Sequence, residues 1–326
     1  MFSKSCYFIS VTLLLSFIVV QWASAQILEK EIPLSVQGRI DHFSIDLPGQ
    51  RLFVSALGND SVEVIDLRRG EQIHSILGLK EPQGLLYAPN TNRLFVASDG
   101  DGTVRSYDGK SFAPLKTVGV GDDADNVRYD AQTNHLIVGY GDGGLITFDT
   151  NLQIISDVKL PVHPEAFQLA RNPPFTFVYL PNDSSIAVID RATNKAIGKW
   201  RVTAAAANFP MALDEDDERL FVGCRSPARL LVLDTGSGKL ITELPTVGDT
   251  DELFYDAARK KLYVIGGDGH LDVFEQKDAD HYKPALRIKT AAGARTGFFA
   301  PTLNRIFVAA PRHGPNEARI LVYRVD

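Results

Sequence analysis

One position recurs seven times along this sequence at intervals of 40 to 44 residues, and six of its seven occupants are polar. The occupants are Asp41, Gln83, Asp125, Glu165, Phe209, Asp251 and Arg295. A fixed period indicates that each occupant takes the same place in a repeated unit, so these side chains can converge on one axis. Four of them are carboxylic acids, and carboxylates brought together bind cations or raise one another's pKa values.

Neighbouring residues extend this set and widen its chemistry. They are His42, Asn126, His163, Asn208 and Glu252. Carboxylate and amide oxygens suit Ca²⁺, whereas the addition of imidazole suits a transition metal. A divalent metal ion held by the acids and histidines is therefore one hypothesis, although the sequence does not fix the distance in space between acids of different repeats. An anionic small molecule bound by Arg295 is a second hypothesis, because guanidinium groups bind carboxylate and phosphate through two hydrogen bonds.

The repeated unit is marked by a short apolar phrase such as Arg51-Leu52-Phe53-Val54. The second residue of each phrase, called the anchor residue below, is Leu52, Leu94, Leu136, Thr176, Leu220, Leu262 or Ile306. Such phrases suit buried strands, and turns rich in Gly, Asn and Asp follow several of them, as at residues 99–102 and 266–269. With a strand before the phrase and two after it, each unit reads as four antiparallel strands. The sequence predicts an all-β, seven-bladed β-propeller with four-stranded antiparallel blades.

The two ends of the chain supply the closure of the ring. After residue 322 only three strands of the last blade have been made, whereas residues 27–34 form a strand with no partner ahead of the first repeat. Pairing the two predicts that the N-terminal strand completes the C-terminal blade and removes exposed sheet edges. Residues 26–326 are predicted to form a single domain.

Two repeats carry a family resemblance. Residues 59–66 (NDSVEVID) and 184–195 (SSIAVIDRATNK) resemble the YVTN-type propeller repeat, which has a turn with Gly or Asn, then Val-x-Val-Ile-Asp and a turn with Thr or Gly. The resemblance extends over residues 26–326 and implies an exported or cell-surface bacterial propeller. It implies no shared catalytic residues, because roles in this family vary.

Position within a blade separates structural acids from candidate site residues. Aspartates six residues before an anchor residue, or at the end of a third strand, are predicted to accept hydrogen bonds within their own turns. The first strand of a propeller blade is innermost, so the position eleven residues before the anchor residue faces the channel mouth. Turns after the second strand reach the same end of the blade. Their polar residues are therefore predicted to overhang the channel mouth: Asn59, Asp142, Arg225, Asp268, Arg312 and His313. A polar lining can also belong to a merely water-filled channel, and that alternative stays open.

The N-terminal segment indicates export. Lys4, an apolar run over residues 7–20 and Ala23-Ser24-Ala25 are typical of a signal peptide, here residues 1–25. The apolar run is too short for a membrane span, so no stable membrane insertion is expected after cleavage. The net charge of −6 disfavours nucleic acid as a partner. We expect a periplasmic or secreted protein.

The sequence favours binding over catalysis. It contains no Gly-x-Ser-x-Gly, His-Glu-x-x-His or phosphate-loop motif, and Cys224 follows an apolar strand in which a buried thiol is expected. A binding module for a small molecule or a protein at the channel mouth is the leading interpretation. Two alternatives remain: a metal-dependent hydrolase of the lactonase type, by analogy of fold alone, and a structural cell-surface module that uses its outer rim.

Overall fold

The computed structural model describes residues 27–141 and 143–325. Its strands form seven four-stranded antiparallel sheets, which are the blades of a β-propeller. The predicted fold class is therefore confirmed. The predicted signal peptide and Asp142 lie outside the described residues. The described part contains no helix long and apolar enough to span a membrane.

The strands follow one another blade by blade. The chain begins with β1 (Ile27–Pro33). Blade 1 contains β2 (Phe43–Asp46), β3 (Arg51–Ala56), β4 (Ser61–Asp66) and β5 (Glu71–Ile76), and blade 2 contains β6 (Pro82–Ala88), β7 (Arg93–Ser98), β8 (Thr103–Asp108) and β9 (Pro114–Gly119). Blade 3 contains β10 (Asn126–Asp130), β11 (His135–Tyr140), β12 (Gly144–Phe148) and β13 (Ile154–Lys159), and blade 4 contains β14 (Phe167–Leu169), β15 (Phe175–Leu180), β16 (Ser185–Asp190) and β17 (Lys195–Arg201). Blade 5 contains β18 (Ala206–Asp214), β19 (Arg219–Ser226), β20 (Ala228–Asp234) and β21 (Leu240–Pro245), and blade 6 contains β22 (Thr250–Asp256), β23 (Lys261–Gly266), β24 (His270–Gln276) and β25 (Tyr282–Lys289). Blade 7 contains β26 (Gly297–Ala300), β27 (Arg305–Ala310) and β28 (Arg319–Arg324).

Strand β1 is the fourth strand of blade 7, as the sequence predicts. The order in that sheet is β1-β28-β27-β26, and Ile32 lies opposite Ile320 in the antiparallel register. Both side chains are buried in a cluster that also contains Leu52 of blade 1 and Phe307 of blade 7. The closure is therefore held by backbone pairing and by packing between the first and last blades.

Burial explains why the second strands read as apolar phrases. Leu52, Phe53 and Val54 in β3 are all 0% exposed, because this strand packs on both of its faces against neighbouring blades. The fourth strands lie at the rim and alternate exposed with partly buried residues, as in β13. The core is thus a set of apolar layers between blades rather than one central mass.

The first strands form the wall of the channel. Each contacts the first strand of the next blade, and contacts between β26 and β2 complete the circle. Gly84 lets β6 lie close to the chain before β10, because a Cβ at this position would lie 2.6 Å from the backbone oxygen of Asp125. Side chains at the start of these strands are consequently brought to one end of the channel.

The aspartates assigned to turns have structural roles at the opposite end of the blades. Asp46 accepts a hydrogen bond from the backbone N–H of Gly49 at 3.0 Å and pairs with Arg51 Nη2 at 2.6 Å. Asp66, at the end of β4, accepts hydrogen bonds from the backbone N–H groups of Arg68 and Arg69 at 2.8 and 2.9 Å. These contacts agree with the sequence-based interpretation.

Candidate functional site

A cavity of about 390 Å³ occupies the central channel. Eight of the residues predicted from the sequence line it: Asp41, His42, Gln83, Asp125, Asn126, Glu165, Asp251 and Glu252. We call the end of the channel where these side chains meet the mouth. His163 and Arg295 lie beside it and contact mouth residues or their neighbours, whereas the side chain of Asn208 lies outside what the structure describes.

Blades 1 and 6 meet at the mouth through an ionic network. Asp41 is 2% exposed, and its Oδ2 lies 2.7 Å from Nη2 of Arg39. His42 bridges to the other blade, with Nδ1 2.9 Å from Glu252 Oε1 and Nε2 3.6 Å from Asp41 Oδ1. Burial acts to lower the pKa of His42, but the hydrogen bond to Glu252 and the charges of Asp41 and Glu252 outweigh it and raise the pKa to about 9. This imidazole is therefore positively charged at neutral pH.

Blades 5, 6 and 7 contribute a second ionic network. Arg225 Nη2 lies 2.6 Å from Asp251 Oδ1, and Arg225 Nε donates a hydrogen bond to the backbone oxygen of Thr250 at 2.8 Å. Arg295 Nη2 lies 3.0 Å from Asp249 Oδ2. Burial raises the pKa of Asp251 to about 6 in spite of the opposing charge of Arg225. The arginines expected to attract an anion are thus compensated by aspartates.

Blades 3 and 4 place Asp123, Asp125 and His163 together, and we call these three residues the His163 cluster. One nitrogen of the imidazole and one oxygen of each carboxylate lie within 4.8 Å of one another. His163 Nε2 is 3.3 Å from Asp125 Oδ2, and Nδ1 is 2.8 Å from the backbone oxygen of Gly141. Burial opposes protonation of His163, but hydrogen bonding to Asp125 and the nearby negative charges raise its pKa to about 9.

Glu165 stands between these groups without an ion pair among the described residues. Burial, reinforced by the charge of Asp125, raises its pKa to about 7. Its backbone oxygen accepts a hydrogen bond from Asn126 Nδ2 at 3.2 Å, which joins the innermost strands of blades 3 and 4. Because this contact uses the backbone of Glu165 and not its carboxyl, the side chain can contact a ligand in the channel.

Below the mouth, the channel wall changes character. Leu86, Phe254 and Phe298 line it together with Arg128 and Gln168. The guanidinium carbon of Arg128 lies 5.6 Å from the centre of the Phe167 ring. Burial lowers the pKa of Arg128, although the charges of Glu252 and Asp125 oppose this effect. The cavity therefore combines a charged mouth with a partly apolar wall.

Sequence reasoning missed several charged residues at the mouth. They occupy the position thirteen residues before the anchor residue, which holds Arg39, Glu81, Asp123, His163, Ala207, Asp249 and Gly293. Because side chains two residues apart in an extended chain point the same way, this position accompanies the one eleven residues before the anchor. Extending the repeat alignment by two residues would have found Arg39, Asp123 and Asp249.

The predicted overhang is only partly brought to the mouth. Arg225 contacts Asp251 there, whereas Arg312 Nη2 lies 3.4 Å from Glu317 Oε1 in its own loop. Asn59 Nδ2 donates a hydrogen bond to Ser61 at 3.2 Å and so serves its own turn. Cys224 is 0% exposed, and burial raises the pKa of its thiol to about 12, so it is not a nucleophile in the folded protein.

Comparisons with known proteins support the architecture. No family model and no curated protein matches this chain. A chain of Kuenenia stuttgartiensis hydrazine synthase is similar over 92% of this chain and 99% of its own, with a TM-score of 0.76 and 16% identity. A chain in a crystal structure of the mitotic checkpoint complex is similar over 99% of both chains, with a TM-score of 0.77 and 13% identity. At these identities the similarity shows the β-propeller fold alone.

Proposed function

We propose that this propeller is a binding protein that takes a small, positively charged ligand at the mouth of its channel. The observation that carries the proposal is the convergence of carboxylates from blades 1, 3, 4 and 6 on one cavity of about 390 Å³. Cavities of roughly 300–1,000 Å³ are typical of small-molecule sites. Carboxylates outnumber the cationic groups around this one, which favours a cation over an anion.

Export of the mature chain is part of the same proposal. It is supported by the charged, apolar and small-residue order of the first 25 residues and by the resemblance of the repeats to YVTN-type propellers. Removal of residues 1–25 would leave residues 26–326 as one exported domain. A periplasmic or secreted location follows from this interpretation.

Thermal unfolding with small probes tests the binding proposal. We expect ethylenediamine or arginine to raise Tm of the wild-type protein, and citrate and benzoate to have little effect. A ligand at about 100 times its Kd adds about 2.7 kcal/mol of stability, so a tenfold loss of affinity in Glu165→Gln or Asp251→Asn removes about 1.3 kcal/mol of that gain. Asp66→Asn, at the other end of blade 1, is the control and should keep the full shift. Stabilisation by anions only would refute a cationic ligand.

A metal-dependent hydrolase is the second candidate, and the His163 cluster is the observation that favours it. A bound ion would polarise a substrate carbonyl at the mouth. Acid release from a panel of lactones, measured with and without added Mn²⁺ or Zn²⁺, tests this candidate. Activity that is independent of metal, or equal in His163→Ala, would argue against it.

A further inference from the structure

We propose that the His163 cluster binds one first-row divalent transition-metal ion, of the Zn²⁺ or Mn²⁺ type. The ion would use Nε2 of His163 with one oxygen of Asp125, and the exposed carboxylate of Asp123, now 3.2 Å from Nδ1, would turn towards the ion as a third ligand. Positions would stay open for water or a ligand in the channel. The inference deepens the proposed cation site and rests on the mouth being a place where ligands bind.

Uncompensated charge is the first observation behind this site. Elsewhere at the mouth, Asp41 is paired with Arg39, Asp251 with Arg225, and Asp249 with Arg225 and Arg295. No Arg or Lys forms an ion pair with Asp123 or Asp125 in the part of the chain that the structure describes; both carboxylates contact His163, with Asp123 Oδ2 3.2 Å from Nδ1 and Asp125 Oδ2 3.3 Å from Nε2. Carboxylates that share one imidazole in this way favour a bound dication.

An unsatisfied oxygen is the second observation. Asp125 is 9% exposed, and its Oδ1 is buried with no hydrogen-bond partner among the described residues. Its other oxygen, Oδ2, faces the imidazole at 3.3 Å. Leaving a buried carboxylate oxygen unpaired is costly, so a nearby ligand that neutralises this group offsets a large penalty.

The orientation of the imidazole is the third observation. Nδ1 lies 2.8 Å from the backbone oxygen of Gly141 and 3.2 Å from Asp123 Oδ2, two acceptors, so in the neutral ring Nδ1 carries the proton and Nε2 offers its lone pair towards Asp125. Metal-binding histidines commonly donate their second N–H to a carbonyl in this way. At metal–ligand distances of about 2.0–2.2 Å, two tetrahedral ligands lie about 3.4 Å apart, which the Nε2–Oδ2 separation of 3.3 Å already matches.

Access and chemistry select the class of ion. The side chains of Asp123 and His163 are 43% and 17% exposed, so an ion can enter from the mouth and the outer carboxylate can adjust to it. One nitrogen and two carboxylate oxygens suit Zn²⁺, Mn²⁺ or Fe²⁺, whereas Ca²⁺ prefers six to eight oxygen ligands. The site therefore favours a transition metal over calcium.

Isothermal titration of the EDTA-treated, dialysed protein with Zn²⁺, Mn²⁺ and Ca²⁺ tests the inference. We expect one Zn²⁺ or Mn²⁺ per chain, with Ca²⁺ binding more weakly. His163→Ala and Asp123→Asn should each lower the affinity by about 100-fold or more, as expected for loss of a direct ligand. Asp123 is the more exposed residue, so its variant keeps the test valid if His163→Ala does not fold.

The exposed pair formed by His281 and Asp278, with Nδ1 2.8 Å from Oδ1, provides the matched control. His281→Ala should bind the metal as the wild type does. The inference is overturned if no stoichiometric ion binds, if Ca²⁺ binds more tightly, or if both cluster variants keep wild-type affinity. If metal binding fails while amine probes still stabilise the wild type but not Asp251→Asn, the cation site stands without the metal. If both fail, the proposed function falls as well.

Discussion

His42 Nδ1 and Glu252 Oε1, 210 residues apart in the chain, lie 2.9 Å from each other across the channel wall. Their contact joins blade 1 to blade 6, although blade 7 lies between these blades in the ring. Only residues that project into the channel can make such a contact, because the seven blades come close to one another there. The ion pairs at the mouth therefore depend on the ring being closed.

The stability of the protein should depend on pH through His42. Its pKa is about 9 in the folded protein and about 6.5 when unfolded, so the folded state binds this proton more tightly. The resulting stabilisation is complete below about pH 6.5 and is lost as pH rises towards 9. We expect His42→Gln to lose roughly 2–3 kcal/mol less than the wild type between about pH 6 and pH 9.5, measured by urea unfolding. Equal losses in the two proteins would contradict the assignment.

Ring closure should depend on the buried face of β1. Ile32 is 1% exposed and packs between blades 7 and 1, so Ile32→Ala should cost about 2–4 kcal/mol of unfolding free energy. Leu28 in the same strand is 43% exposed, and Leu28→Ala should cost less than about 1 kcal/mol. Denaturant unfolding followed by circular dichroism compares them, and similar losses would show that β1 contributes little through packing.

The turn aspartates should affect stability but not ligand binding. Asp46→Ala leaves the partly buried guanidinium of Arg51 without its carboxylate and should cost about 3 kcal/mol. Asp66→Ala loses hydrogen bonds in an exposed turn, where water can replace them, and should cost clearly less than Asp46→Ala. Neither variant should change probe affinity at the mouth. A loss of affinity in correctly folded Asp46→Ala would show that its end of the channel also takes part in binding.

Thiol counting should report on processing of the N-terminus. The buried thiol of Cys224 has a pKa of about 12, so it should not react with a disulfide reagent in the native protein. After denaturation, one thiol per chain is expected if residues 1–25 have been removed, and two if Cys6 is retained. Intact mass measured on the same sample checks the count.

Much of the fold could be predicted because each blade repeats the same burial pattern. Leu52 and its six counterparts occupy a strand that is buried on both faces, so the apolar phrase survives in every repeat. The pairing of β1 with β28 also followed from the sequence, since counting strands leaves one unpaired at each end. The repeat of about 42 residues and the strand count at the two ends were therefore enough to predict the fold.

The site was less predictable because the distances between residues along the sequence do not show which side chains of different blades touch. Asp125 and His163 were both expected at the mouth, but their 3.3 Å contact depends on how blades 3 and 4 twist against each other. Arg39 was missed because the repeats were aligned only as far as the position eleven residues before the anchor residue, and Arg39 lies two residues further from it. The pairing of Arg225 with Asp251 likewise shows neutralised charge, which a count of residue types could not reveal.

The register that places Ile27 opposite Arg324 also sets an order of assembly. Blades 1 to 6 can each pair their strands as soon as about 40 consecutive residues exist, because their contacts are local. The seventh must wait for β28 (Arg319–Arg324), and β1 has no partner strand until β28 has been made. Until β28 is in place, the blades form an open arc whose two edge strands are exposed to other chains.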